Sequence, residues 1–119
     1  MANAQGGAMP YEQGIRKYIL VLQWPATSDA DFDALISMED ALLQSDLLKA
    51  YGVVDGHDFG AGEMNIFIHT DRPLEAFQHS MTSLSTHGRW VSVRAAYRQM
   101  NGERFVIVWP KDLQVFSVS

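Results

Sequence analysis

Residues 17–24, K-Y-I-L-V-L-Q-W, form a nearly unbroken run of apolar, β-favouring side chains that Pro25 stops. A short run of this kind fits a strand buried on both faces, at the centre of a sheet. Just downstream, Thr27-Ser28-Asp29 offers side-chain oxygens to the first amides of a helix, and acidic residues in the first turn suit its dipole. The pattern predicts a helix from about Ala30 to Lys49, with Phe32, Leu35, Ile36, Leu42, Leu43 and Leu47 as its apolar stripe. Gly52 closes this region. A second strand is predicted over Val53–Phe59 and a third over Glu63–Thr70, joined by Gly60-Ala61-Gly62 as a hairpin. Asp71 is placed to cap a second helix with Pro73 early in it. Leu74, Phe77, Met81 and Leu84 are its stripe, and Gly88 its stop. Trp90–Gln99 reads as a fourth strand, Asn101-Gly102 as a two-residue type I′ turn and Glu103–Trp109 as a fifth strand. Leu113–Val118 alternates, as an edge strand or a segment pairing with another subunit would.

The order is β-α-β-β-α-β-β. It predicts an α+β fold, a ferredoxin-like βαββαβ sandwich with an additional C-terminal strand, an antiparallel sheet of order 2-3-1-4-5 and both helices on one face. Residues 1–14 lack periodicity and are rich in Gly, Ala, Asn and Gln, as a flexible leader would be; residues 15–119 make a single domain.

Composition bounds the function. Of 119 residues, 47% are hydrophobic and 19% charged, which is enough apolar material for a core. A net charge of −5 with no basic run argues against a general nucleic-acid binder. No cysteine is present, which removes disulfides, thiolate metal sites and cysteine nucleophiles. No signal-peptide pattern and no membrane-length apolar run occurs, so a cytoplasmic protein without a membrane partner is expected.

A two-residue turn at Asn101-Gly102 fixes the hairpin register. Arg98 then faces Phe105, Ala96 faces Ile107 and Arg94 faces Trp109, all on one side. Val91, Val93, Ala95 and Tyr97 share the other side with Val106 and Val108, as a helix-covered core should. The helix-free face would then carry Asn65, Phe67, His69, Arg94, Arg98, Phe105, Ile107 and Trp109. Such a face exposes apolar area that monomers usually hide. A second subunit, a bound molecule or the folded-back 113–118 segment would cover it, and a homodimer is the expected form. Arg94 beside Trp109 would also make a cation–π pair.

Two further groups stand out. Asp55, His57, Asp58 and Glu63 crowd the hairpin Asp55–Asn65 with oxygen donors and an imidazole, but their spacing matches no defined metal motif, and no metal or cofactor is expected. Glu39 interrupts the apolar stripe of the first helix, where a lone carboxylate is costly unless paired or protonated. It would act as a general acid or base in a pocket, or hydrogen-bond to backbone amides, Tyr18, Tyr97 or an arginine.

The run Asp55-Gly-His-Asp-Phe-Gly-Ala-Gly-Glu-Met-Asn-Ile-Phe-Ile68, with Thr70-Asp71-Arg72-Pro73 and Phe77, resembles a segment of a family of small uncharacterised bacterial proteins. The resemblance spans roughly the central third of the chain and brings no activity with it. The architecture is similar to that of dimeric α+β barrel proteins, whose ferredoxin-like subunits pair their open sheet faces, but this is an analogy of fold. The leading expectation is a non-catalytic binding or protein-interaction module that uses the open face and the 55–63 hairpin. A cofactor-independent acid–base enzyme, with Glu39 or the hairpin group moving protons and Arg94 or Arg98 holding an anionic substrate, is one alternative. An immunity-type inhibitor of a basic toxin is another.

Overall fold

In a computed structural model describing residues 16–119, the central run becomes β1, Tyr18–Pro25. The segment expected to be a leader lies outside the described residues. Strand β1 is flanked by two antiparallel neighbours: β3, Glu63–Thr70, pairs Leu22 with Ile66, and β4, Arg94–Gln99, pairs Leu22 with Ala95. Outside β3 lies β2, Gly52–Gly60, and outside β4 lies β5, Val106–Trp109. The fold is therefore α+β, with a five-stranded antiparallel sheet ordered β2-β3-β1-β4-β5 as the sequence predicts.

Three helices, not two, cover one face. Ser28 and Asp31 form a capping box at the start of α1, Asp29–Leu43. The predicted long helix breaks at Gln44-Ser45, where the Ser45 hydroxyl accepts from the Leu48 amide and starts α2, Asp46–Lys49. Helix α3, Pro73–Leu84, begins without a side-chain cap. Asp71, expected to cap it, instead accepts from the Lys17 amide at 2.9 Å and ties the entry of β1 to the end of β3. Leu35, Met38 and Leu42 of α1, Leu48 of α2, and Ala76, Phe77 and Leu84 of α3 close over Leu20, Leu22, Trp24, Met64, Ile66 and Ile68. Each fully buried aliphatic side chain here contributes about 1.5–3 kcal/mol by leaving water. Leu74 and Met81, expected in the α3 stripe, are exposed, because the buried arc is rotated onto Ala76, Phe77 and Ser80.

Two strand boundaries differ from expectation. Gly88–Ser92 forms a 3-10 helix, so the fourth strand starts at Arg94, and Val91 is 90% exposed rather than part of the core. Arg89 in this turn reaches Asp31 at the N-terminus of α1 and holds the segment against the helix layer. Asp31 also accepts the Thr27 and Ser28 amides at 2.8 and 3.0 Å. With Thr27 first, then Arg89 and Ser28, these donors hold its carboxyl well below the usual carboxylate range. The fourth and fifth strands are joined by residues 100–105, not by a two-residue turn, since neither Asn101 nor Gly102 takes the positive φ that type I′ needs. That geometry occurs instead between β2 and β3, where Ala61 and Gly62 have φ of 55° and 82° and Gly60 pairs with Glu63.

The candidate functional site

Strand alternation sorts the predicted residues onto two sides of the sheet. Ile19, Val21 and Gln23 of β1 face away from the helices, beside His69, Phe67 and Asn65 of β3 and Arg98, Ala96 and Arg94 of β4. Ile107 lies opposite Ala96, as the register predicts, but an irregularity between Ala95 and Ala96 puts Trp109 opposite Ala95 rather than Arg94. The expected Arg94–Trp109 pair is therefore replaced: Arg94 donates to the Gln23 side-chain oxygen, and Arg98 stands over the Phe105 ring at 5.8 Å. Trp109 remains 42% exposed.

This helix-free face is not bare. Residues 113–119 form no strand and run across it. The Phe116 ring meets Phe105 edge-on at 5.0 Å, and Val118 lies in a groove with Ile19, Val21 and Phe67. Between these apolar contacts, Gln23 Nε2 donates to the Ser117 carbonyl at 2.9 Å. Gln23 and Asn65 are both fully buried and form a polar centre. Gln23 Nε2 also donates to Asn65 Oδ1 at 3.0 Å and to Glu63 Oε2 at 3.3 Å, and Asn65 donates to the same Glu63 oxygen at 3.2 Å. Glu63 completes the seat by accepting from the Ser119 amide at 3.0 Å and its hydroxyl at 3.3 Å. A buried amide must find partners or lose stability, so the segment and the polar centre satisfy one another. Of the three expected coverings, the folded-back segment is the one observed in the chain.

The hairpin residues do not converge. A bulge between Val54 and Gly56 leaves Asp55 as the extra residue, with a carboxylate oxygen 3.4 Å from His69 Nε2. Between the bulge and the turn, the register that starts at Gly60 opposite Glu63 puts His57 opposite Ile66, on the helix side. There His57 Nδ1 lies 3.0 and 3.1 Å from the two Glu39 oxygens, with Phe32 and Phe59 packed alongside. Glu39 thus finds a histidine rather than the amides, tyrosines or arginine expected; its side chain is 13% exposed and that of His57 32%. Asp58 is exposed opposite Asn65, and Glu63 joins the polar centre. Among the described residues, no three histidine or acidic side chains gather as a metal site would require, and no helix is long and apolar enough to cross a membrane.

Gln23 is the residue that sequence reasoning passed over. Its signal was present: it is the one side-chain amide within the aromatic and aliphatic run Tyr18–Trp24, and it continues the Ile19, Val21 alternation. Comparison of the chain with protein-family models, curated proteins and solved structures finds no match.

Proposed function

We propose that the domain is a non-catalytic interaction module that receives an extended polypeptide segment across its helix-free face. The observation that carries this reading is the Gln23–Ser117 hydrogen bond, made from a fully buried polar centre to the backbone of a segment that forms no ladder. A backbone carbonyl flanked by apolar side chains, as Ser117 is by Phe116 and Val118, is the chemistry this face accepts. The partner is an extended peptide of the same pattern, for which the chain's own residues 113–119 hold the place. The architecture corresponds to a ferredoxin-like βαββαβ sandwich with one added strand. Pairing two such faces, in the manner of dimeric α+β barrels, would first require residues 113–119 to move.

The acid–base enzyme has less support. Glu39 and His57 sit on the helix side, whereas Arg94 and Arg98 lie on the opposite side of the sheet, so the proton-moving and anion-holding groups do not share a pocket. The test is a chain ending at Asp112, titrated with a fluorescent peptide of residues 110–119. Saturable binding is expected, and the intact chain should bind the peptide at least about tenfold more weakly, because its own tethered segment competes at high effective concentration. Equal binding by both chains, or none by the shortened one, removes the proposal.

A further inference from the structure

Acidic and basic groups are unevenly distributed over this acidic chain. Lys49 pairs with Asp46, Arg72 with Glu75 and Arg89 with Asp31, so these three cations are partnered locally. Four others gather around one end of the sheet, where β1 begins and β4 ends. Arg16 and Lys17 line a cleft of about 560 Å³ with Tyr18 and Gln99. Arg98 and Arg104 line an adjoining one of about 380 Å³ with Tyr18, Tyr97, Gln99 and Glu103. Tyr18 and Gln99 line both, so the two spaces adjoin at the strand ends. Among the described residues, none of these four cations makes a salt bridge, although Glu103 lines the same space. Asp71 stands nearby, but its hydrogen bond goes to the Lys17 backbone amide.

Two features make this an arranged site rather than a loose collection of charge. Arg98 is fixed: its Nη1 donates to the carbonyls of Gln99, Met100 and Gly102 at 3.0, 3.1 and 3.0 Å. The three bonds share one nitrogen, so the guanidinium is anchored while its other N–H groups stay available for a fork-like contact with an oxyanion. Tyr18 and Tyr97 meet edge to face with centroids 5.5 Å apart and are half-buried, giving the cleft a rigid aromatic wall beside the cations. Cations without carboxylate partners favour an anion of more than one charge, and an aromatic wall favours a flat ring attached to it. Each space is in the range of small-molecule sites.

We infer that the cleft formed by Arg16, Lys17, Tyr18, Tyr97, Arg98 and Arg104 binds a small phosphomonoester that carries a planar ring. The cleft adjoins the peptide seat, because Arg98 and Glu103 also line the groove that holds Val118, but it surrounds the strand ends whereas the seat is centred on Gln23.

Adenosine monophosphate is the probe, titrated into the intact 119-residue chain and followed by isothermal calorimetry and amide chemical shifts. Saturable binding is expected, with the largest shifts at Tyr18, Tyr97 and residues 98–104, and with affinity falling as salt is raised. Adenosine without its phosphate should bind at least about tenfold more weakly, equivalent to about 1.4 kcal/mol. Arg104→Glu and Lys17→Glu should each weaken the nucleotide by at least about tenfold. Lys49→Glu changes the net charge by the same amount at a distant position and should alter affinity by less than about twofold. Both Arg104 and Lys17 are exposed, so folding of these variants is expected to persist and is checked by circular dichroism. Absence of saturable binding, an equal loss in Lys49→Glu, or adenosine binding as tightly as its monophosphate would each overturn the inference.

Discussion

Replacing Gln23 by Leu isolates the polar centre on which the peptide seat rests. The substitution keeps a side chain of similar length but deletes an amide that is fully buried and serves four partners: Arg94, Asn65, Glu63 and the Ser117 carbonyl. Two of these are charged, and a hydrogen bond to a charged group contributes about 1.5–3 kcal/mol, while each buried polar atom left without a partner costs about 1–3 kcal/mol. Water can reach Arg94 and Glu63 once the covering segment loosens, which limits the penalty from those two groups. Asn65 has no such relief beneath the segment. The added apolar contact of leucine offsets part of the loss, leaving a net destabilisation of about 3 kcal/mol. With a urea slope of about 1.5 kcal/mol/M, the unfolding midpoint should fall by about 2 M. Hydrogen exchange provides the second readout. Protection of the Ser119 amide, which Glu63 accepts, should collapse in the variant under native conditions, while amides of β1 and β3 stay protected up to the new global stability. A midpoint within about 0.3 M of the parent, or unchanged protection at Ser119, would refute the claim that Gln23 anchors the segment.

Three other outcomes follow from individual positions. Gly52→Ala should cost about 2 kcal/mol or more in urea unfolding, because a Cβ there would stand 2.9 Å from the His69 carbonyl oxygen and from Ile68 Cγ2. Ala61→Gly should raise stability by about 0.5–1 kcal/mol, since Ala61 holds a φ of 55° in the β2–β3 turn, which glycine adopts freely. Asp31→Asn should lower stability most at neutral pH. The native carboxyl titrates below its unfolded value, so its contribution is complete above the unfolded pKa near about 4 and disappears as pH falls through the native value. Unfolding curves of the parent and variant should therefore converge as the pH is lowered below about 4.

The sheet was legible because burial leaves a strong alternating record. Leu20, Leu22, Ile66 and Ile68 fall on the helix side, with Val21 and Phe67 opposite, and the apolar run of β1 reports that both sides are covered. Less legible were features governed by single contacts. Trp90 and Val91 have strand-like side chains, yet the Arg89–Asp31 pair and the His87 ring accepting the Arg89 amide curl that stretch into a 3-10 turn. Asn101-Gly102 has the composition of a tight hairpin, but Arg98 gathers the carbonyls of Gln99, Met100 and Gly102 and stabilises a longer connection. Glu39 was recognisable as an anomaly in an apolar stripe. Its partner was not: a three-residue loop at Gly60-Ala61-Gly62 would put His57 opposite Asn65, whereas the two-residue turn puts it opposite Ile66 on the helix side, and the bulge at Asp55 breaks the alternation counted from Val54.

That same bulge has a consequence for assembly. An incoming strand aligned along β2 would match the backbone spacing on one side of Asp55 and lose it on the other, where Gly56 takes a φ of 155°. The opposite margin offers only the four residues of β5. Neither border supplies a long regular row of free amides and carbonyls, so growth of the sheet into fibres or stacked copies is interrupted at both ends.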